Sequence, residues 1–177
     1  LQRLLRDRFG FGIESVMNVT DVDDKLLQRA TSLGVDPRAL ATEMEASFVA
    51  DMQRLNVTAP TRYTRVTEYM PEIVALIERI VRAGFAYERN GSVYFDVRAR
   101  LRDSTHARLM PSRIARLTSD APASPDDEEA GSSADKRFWA DFALWKAVKS
   151  ADDTLGWPSP FGRGRPGWHI ECSAMSR

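Results

Sequence analysis

The first third of the chain alternates between helical and strand-like patterns of apolar residues. A leucine-rich opening predicts an amphipathic helix that ends at Gly10. A short β-prone run through Ile13, Val16 and Val19 follows, and then a second helical pattern that Gly34 closes. Helix, strand and helix in this order are typical of an α/β sheet, so the predicted fold class is α/β.

Two longer helices are predicted from apolar positions that recur every three or four residues. Asp36-Pro37 has the order of a helix cap followed by the first helical residue, and another helix is predicted from near Pro71 to Gly84. Each pattern has one apolar stripe that we expect to be buried. The stripes are Leu40, Met44, Phe48, Met52 and Leu55 in the first helix, and Ile73, Val74, Ile77, Ile80 and Val81 in the second.

The middle of the chain changes from regular to irregular patterns. β-prone runs flank Asn90-Gly91, which predicts a hairpin because this dipeptide suits a tight two-residue turn. Residues 98–118 are rich in arginine and weakly patterned, and residues 118–135 are polar, acidic and rich in Pro and Ser. We expect a disordered loop over 118–135, since it has little to bury. An aromatic cluster over residues 138–145 predicts that ordered structure resumes there.

Composition restricts the classes of protein that fit. The 177 residues include 25 basic and 25 acidic side chains, so any RNA contact must be local rather than a result of overall charge. The single cysteine excludes an internal disulfide. Apolar runs stay well short of the roughly 20 residues that cross a bilayer, so no membrane association is expected.

The stretch "NVTDVDDK", residues 18–25, lies where a strand gives way to a helix. Ligands bind at the carboxyl ends of strands in open α/β sheets, which would place the Thr20 hydroxyl in a pocket. Alternatively, Thr20 or Asp21 caps the helix while Asp23 and Asp24 favour its positive end. A magnesium site is a further alternative for the three aspartates. Capping is favoured for them, because on a helix Asp23 would point away from the face that Asp21 and Asp24 share.

The stretch "GWHIECSAM" contains the only cysteine, Cys172. A lone cysteine is most often an inert buried apolar residue. His169 would share a helix face with it, so a Cys/His pair or two metal ligands are alternatives. Zinc needs four protein ligands, or three and an open position, whereas His106 is the only other histidine and lies far away in sequence. Spacing alone therefore favours a buried Cys172.

"NVTDVDDK" and "GRPGWHIECSAM" together resemble the cysteinyl-tRNA synthetases, a class I aminoacyl-tRNA synthetase family, and "RVTEYMPEIV", "GSVYFDV", "DKR", "DFALWK" and "WPSPFG" agree in the same order. The resemblance implies a Rossmann-like catalytic core interrupted by a connective insertion. Residues 1–84 would form part of the core and its following helices. Residues 85–150 would form the insertion, with the hairpin and the acidic loop, and residues 151–177 would return to the core.

The resemblance also implies an activity. Members of the family use ATP, with Mg²⁺, to convert cysteine to cysteinyl-adenylate, and then transfer the cysteinyl group to tRNA(Cys). They hold a zinc ion whose open position takes the substrate thiolate. By this resemblance Cys172 is one zinc ligand, while Thr20 and Trp168 line the cysteine pocket. Zinc prefers a soft thiolate, which separates cysteine from serine better than the shape of a pocket would.

Two family signatures, His-x-Gly-His and Lys-Met-Ser-Lys-Ser, are absent from the sequence. We therefore expect an internal fragment that forms no adenylate and binds zinc feebly by itself. The alternatives are the cysteine ligase of mycothiol synthesis, which typically has proline where Lys25 stands, and a non-catalytic degenerate copy. The short spacing between "DDK" and "RVTEY" resembles bacterial and organellar forms. We expect a cytoplasmic or mitochondrial protein, and the acidic loop favours the mitochondrion.

Overall fold

The computed structural model describes residues 1–102, 134–148 and 155–176. It divides into two compact units, one of Leu1–Met70 with Cys172–Arg177 and one of Pro71–Glu171. Helices occur with one parallel and one antiparallel sheet, so the predicted α/β class is confirmed. Most of the predicted acidic loop at 118–135 lies outside the described residues. Within those residues, every helix is too short or too polar to cross a membrane.

The first unit is built around a strand–helix–helix–strand connection. Its elements are a π-helical turn at Leu4–Arg8, β1 at Val16–Val19, α1 at Asp24–Leu33, α2 at Pro37–Arg54, β2 at Arg62–Arg65 and a 3₁₀ turn at Val66–Glu68. β1 and β2 pair in parallel, with Val16 opposite Arg62 and Val19 opposite Arg65. Parallel strands need a long crossover, and α1 and α2 supply it.

Polar side chains fasten β2 to its neighbours. Arg65 binds Glu45 of α2 through two hydrogen bonds, Nε to Oε2 at 2.8 Å and Nη2 to Oε1 at 2.6 Å, and reaches Glu68 at 3.1 Å. The hydrogen bond with Glu45 raises the pKa of Arg65. A forked pair fixes both position and direction of the two groups, so α2 is held at a set place along β2.

The predicted start of α2 agrees with the structure, but its predicted burial does not. Asp36 caps α2 by accepting from Ala39 N at 3.0 Å, as predicted. Of the expected apolar stripe, Leu40 is buried, whereas Met44 and Phe48 are 51% and 40% exposed and Leu55 is 69% exposed. The prediction of a buried stripe is therefore wrong for most of its length. Periodicity identifies the side of a helix that can be buried, but only packing decides whether another surface covers it.

The second unit contains α3, a four-stranded antiparallel sheet and part of the last helix. Its elements are α3 at Met70–Arg82, β3 at Ala86–Arg89, β4 at Ser92–Phe95, α4 at Val97–Arg102, β5 at Phe142–Ala147, β6 at Gly164–Pro166 and α5 at Trp168–Met175. The strand order is β3-β4-β5-β6. Ile73 and Ile77 of α3 are fully buried, which confirms the centre of its predicted stripe. Asn90 and Gly91 join β3 to β4 with φ of 52° and 74°, which confirms the hairpin.

A buried carboxylate connects three segments of the second unit. Asp141 is completely buried, and its Oδ2 accepts from Tyr87 Oη at 2.7 Å and from Phe138 N at 3.1 Å. Its Oδ1 accepts from Val97 N at 3.0 Å. Tyr87 Oη in turn accepts from Arg137 N at 2.8 Å. A fully satisfied buried network of this kind rigidifies what it connects, here β3, the start of α4 and the entry into β5.

This network predicts a loss of stability at high pH. Burial raises the pKa of Tyr87 to about 12. An unfolded tyrosine ionises near pH 10, so between pH 10 and 12 the folded chain keeps a proton that the unfolded chain loses. The unfolding free energy should be unaffected by this group below pH 10 and fall above it, by at most about 1.4 kcal/mol per pH unit. Urea unfolding at a series of alkaline pH values measures the decline.

The Tyr87→Phe variant should show a shallower alkaline decline than the parent chain, because the titrating hydroxyl is gone. Tyr63→Phe, on β2 of the first unit, is the matched control and should retain the parent slope. Equal slopes for Tyr87→Phe and the parent chain would contradict the assignment of the decline to Tyr87.

Candidate functional site

The aspartates after β1 have separate structural tasks. Asp23 is the cap of α1, and its Oδ1 accepts from Leu26 N at 2.6 Å. The prediction that Thr20 or Asp21 caps this helix is therefore wrong. The reason is that the chain runs on for four residues between the end of β1 at Val19 and the first helical residue, Asp24, so the cap falls later than the strand end.

Asp21 binds the segment that follows β2. Its Oδ1 accepts from Thr67 N at 3.1 Å and its Oδ2 from Thr67 Oγ1 at 2.5 Å. Three residues earlier in each segment, within β1 and β2 themselves, the buried Thr64 hydroxyl donates to Asn18 Oδ1 at 2.8 Å. These bonds occupy Asp21 and Asp23 within the protein, which accounts for two of the three carboxylates without a magnesium ion.

Capping by Asp23 makes a prediction that separates it from metal binding. Asp23→Ala should lower the unfolding free energy by about 1 kcal/mol, because Leu26 N loses its acceptor. Asp23→Asn should retain most of the stability, since asparagine caps about as well as aspartate but is a poor substitute for a carboxylate ligand of Mg²⁺. Urea unfolding with and without Mg²⁺ measures both. Two results together would contradict the capping role: equal losses in the two variants, and an increase in the unfolding free energy by Mg²⁺ in the parent chain but in neither variant.

Thr20 is left at the carboxyl end of β1, directly after Val19, and its side chain is exposed. This is the edge of a parallel sheet where α/β proteins bind ligands. Its predicted role in a pocket stays a prediction, while the alternative role as a helix cap is excluded by Asp23.

Cys172 lies on the exposed side of α5. The buried side of this helix consists of Ile170, Glu171, Ala174 and Met175, whereas Trp168, His169, Cys172, Ser173 and Ser176 are exposed. The prediction of a buried Cys172 is therefore wrong. Residues four apart share a helix face, so Trp168 and Cys172 belong to one exposed stripe, and the thiol is accessible for chemistry.

The start of α5 is held against β5 at very short range. A Cβ on Gly167 would lie 2.7 Å from the Ala143 carbonyl carbon and would overlap its oxygen. Gly167 N donates to Leu144 O at 2.9 Å. Gly164 approaches as closely, since a Cβ there would lie 2.9 Å from Cε2 of Trp145. The sequence "GRPG", residues 164–167, is thus a strip that packs closely on β5 because both of its ends are glycine and carry no Cβ.

Aromatic contacts orient the first turn of α5. The ring of His169 meets Phe142 edge-on, with 4.9 Å between ring centroids, and lies 5.8 Å from the ring of Trp168. Trp168 itself is 56% exposed, and it is the largest exposed apolar side chain among the described residues of the second unit. An indole held at its base and open at its face can cover an apolar or sulfur-containing ligand.

The donor set supports part of a zinc site. Over residues 1–102, 134–148 and 155–176, no three His, Cys, Asp or Glu side chains come together as metal ligands. Cys172 offers one soft, exposed donor of the type that zinc selects. His106 lies outside the described residues. Cys172 fits a single zinc ligand, and the described residues do not complete a site around it.

Two features of this region escape analysis of the sequence. The sequence pattern places Asp141 only within an aromatic segment, although a lone acidic residue between Trp139 and Phe142 is a signal for a buried, satisfied carboxylate. Gly167 gives no such signal, because a glycine before a helix is ordinary and only its distance to β5 shows the constraint.

Comparison with known proteins gives consistent matches over the chain. A family model described as "tRNA synthetases class I (C) catalytic domain" matches residues 1–177. The cytoplasmic cysteine–tRNA ligase of Dictyostelium discoideum is 43% identical over 176 residues, 99% of this chain and 26% of that protein. The cysteine–tRNA ligase of Gloeobacter violaceus is 45% identical over 168 residues, 95% of this chain and 33% of that protein.

A mitochondrial relative matches over a similar range. The Xenopus tropicalis protein named "Probable cysteine--tRNA ligase, mitochondrial" is 41% identical over 177 residues, 99% of this chain and 28% of that protein. The chain thus spans about a quarter to a third of the length of these curated relatives.

Proposed function

Since the chain belongs to the class I tRNA synthetase (C) catalytic-domain family, we propose that it acts as part of a cysteine–tRNA ligase. The observation that carries the proposal is the match of the family over residues 1–177, together with relatives of 43% and 45% identity that are named as cysteine–tRNA ligases. The catalytic domain contributes the amino-acid and ATP chemistry, so the proposed substrates of the whole protein are cysteine, ATP with Mg²⁺, and tRNA(Cys).

The proposed reaction has two steps. A carboxylate oxygen of cysteine attacks the α-phosphorus of ATP, the bond to the β-phosphate oxygen breaks, and pyrophosphate leaves. A ribose hydroxyl at the 3′ end of the tRNA then attacks the carbonyl carbon of cysteinyl-adenylate. The bond from that carbon to the phosphate oxygen breaks, AMP leaves, and the hydroxyl proton passes to the leaving phosphate group or to solvent. Neither step needs an oxidant or a reductant.

We propose three of the chain's residues for the recognition of cysteine. Thr20, exposed at the carboxyl end of β1, presents its hydroxyl to the bound amino acid. Trp168, more than half exposed, contributes an indole face to the pocket. Cys172 supplies one thiolate ligand to zinc, and zinc when bound supplies a soft Lewis acid that favours the thiolate of cysteine over the hydroxyl of serine.

Residues of the chain hold these groups in place without the metal. Asp23 and Asp21 fix the segment around Thr20 by bonds to Leu26 and Thr67. The close packing of Gly167 on β5 fixes the start of the helix that carries Trp168 and Cys172. Groups that are already held in place before a ligand binds lose less conformational entropy when they bind it.

A chimeric ligase tests the proposal. Residues 1–177 would replace the matching segment of the Gloeobacter violaceus ligase, which is 45% identical. We expect the chimera to exchange pyrophosphate into ATP in the presence of cysteine but not of serine, and the isolated chain to show no exchange. A folded chimera without exchange would favour a non-catalytic copy, and exchange by the isolated chain would overturn the expectation that it is inactive alone.

In the chimera, the Cys172→Ala substitution tests the role in zinc binding. It should lower the zinc content and reduce kcat/KM for cysteine at least about tenfold, which is about 1.4 kcal/mol of transition-state stabilisation. Ser173→Ala changes an exposed neighbour on the same helix and should leave both quantities unchanged. Full zinc content in Cys172→Ala would exclude this residue as a ligand.

The compartment belongs to the same proposal. The matched relatives carry cytoplasmic and mitochondrial names. We place this protein in one of those two compartments and favour the mitochondrion on the acidic composition of residues 118–135.

A further inference from the structure

We propose that Asp141 is a positioning residue for Trp168, acting through the first three residues of β5. The inference rests on the proposed function, since it gives Asp141 a purpose in the cysteine pocket. All of the contacts that carry it lie within the second unit, Pro71–Glu171. Asp141 is completely buried, so its action on the exposed Trp168 must be indirect.

The first step is the clamp at the entry to β5. Asp141 directly precedes Phe142, the first residue of the strand. Its two carboxylate oxygens accept from Val97 N at 3.0 Å, Phe138 N at 3.1 Å and Tyr87 Oη at 2.7 Å. These donors come from the start of α4, from the turn before β5 and from β3. The backbone at residue 141 is therefore held from three directions.

The second step leads from the clamp to the strand. Phe142 pairs with Phe95, the last residue of β4, and their rings stack at 5.0 Å with 16° between planes. Phe95 is two residues before Val97, whose N–H is one of the donors to Asp141. The carboxylate and the ring stack thus fix the same corner of the sheet, where β4 ends and β5 begins.

The third step leads from the strand to the helix that carries Trp168. Each of the first three residues of β5 contacts the start of α5. Phe142 meets the His169 ring edge-on at 4.9 Å, Ala143 faces Gly167 with no room for a Cβ, and Leu144 O accepts from Gly167 N at 2.9 Å. Trp168 lies between the two residues that are held. Because this packing leaves no slack, a displaced corner at Asp141 must displace the base of Trp168.

The opposite end of β5 supplies a matched control. The buried Ser92 hydroxyl accepts from Ala147 N at 3.0 Å, at the last residue of the strand. Ala147 pairs with Gly164, the far end of β6 from α5. Ser92→Ala therefore removes a buried hydrogen bond from the same strand without touching its first three residues.

The experiment uses ¹⁹F NMR of the 177-residue chain labelled with 5-fluorotryptophan. Its four tryptophans give four resonances, and Trp168→Phe identifies that of Trp168. Asp141→Asn should shift or broaden the Trp168 resonance by more than its linewidth, because an amide cannot accept from all three donors. Tyr87→Phe removes one donor and should give a smaller change in the same direction. Ser92→Ala should leave the resonance in place.

The outcomes are distinct. The positioning role is supported if the Trp168 resonance changes in both Asp141→Asn and Tyr87→Phe. The control Ser92→Ala should then leave the resonance unchanged although it lowers the unfolding free energy by a similar amount. An unchanged Trp168 resonance in folded Asp141→Asn overturns it, as does an equal change in Ser92→Ala. If Asp141→Asn does not fold, Tyr87→Phe decides by the same criterion.

These measurements separate the positioning role from the proposed function. The resonance reports where the indole lies whether or not it binds cysteine. In the chimera, Asp141→Asn should raise KM for cysteine with a smaller effect on KM for ATP, and Ser92→Ala should change neither. A displaced Trp168 resonance with unaltered cysteine kinetics would support the link between Asp141 and the position of Trp168. It would reject the role of Trp168 in the cysteine pocket.

Discussion

A Gly167→Ala chain is expected to lose about 3 kcal/mol or more of its unfolding free energy. The added methyl would overlap the carbonyl oxygen of Ala143 and lie 2.7 Å from its carbon, and both atoms belong to the backbone of β5. No rotamer change relieves such an overlap, so the end of β6 must move away from β5. The hydrogen bond from Gly167 N to Leu144 O would then be lost as well.

Urea unfolding followed by tryptophan fluorescence measures this loss, since Trp145 lies in β5 beside the affected strand. Gly12→Ala is the control. A Cβ there meets nothing within 4 Å and the residue does not have a positive φ, so its effect should stay within about 0.5 kcal/mol of zero. If Gly167→Ala were as stable as Gly12→Ala, the close approach of the strip to β5 would be refuted.

The Asp141→Ala substitution is expected to cost about 3–5 kcal/mol. It leaves Tyr87 Oη, Val97 N and Phe138 N without their acceptor at a site that excludes water. Leaving a buried donor without a partner costs more free energy than an ordinary hydrogen bond contributes. Removing one acceptor that serves three buried donors should therefore lower the unfolding free energy strongly. The smaller side chain also leaves a cavity at a completely buried position.

Asp36→Ala provides the comparison for an aspartate with a single backbone partner at the surface. The Asp36 carboxylate accepts one hydrogen bond, from Ala39 N at 3.0 Å, in an exposed position. Its removal should lower the unfolding free energy by about 1 kcal/mol. Urea unfolding of the two variants under the same conditions gives the ratio. Similar losses would mean that water reaches the Asp141 site and replaces the missing carboxylate.

The two results together bear on the candidate site. Gly167 and Asp141 both act on the contact between β5 and the start of α5, one from each side of it. The unfolding free energies measure how much that contact stabilises the chain. The Trp168 resonance reports whether the contact sets the position of the indole. Neither residue is one of the predicted site residues, Thr20, Trp168 and Cys172.

Features that depend on a few neighbouring residues could be predicted from the sequence. Asp36-Pro37 starts α2, Asn90-Gly91 turns the hairpin, and "WHIECSAM" forms α5. Each can be read locally because caps, positive φ angles and helical periodicity are set within one turn of chain. The resemblance of "NVTDVDDK" and "GRPGWHIECSAM" to one family is equally a property of the linear sequence.

The burial of individual side chains and their hydrogen-bond partners in distant segments depend on tertiary packing. Cys172 is exposed because α5 buries its other side, and Met44 and Phe48 of α2 are exposed although their spacing predicted a core. Asp21 accepts a hydrogen bond from Thr67, and Asp141 accepts hydrogen bonds from Tyr87 and Val97, across 44 to 54 residues of chain. Such contacts depend on how distant segments pack. Local propensity carries no information about which distant segment will pack against a given residue.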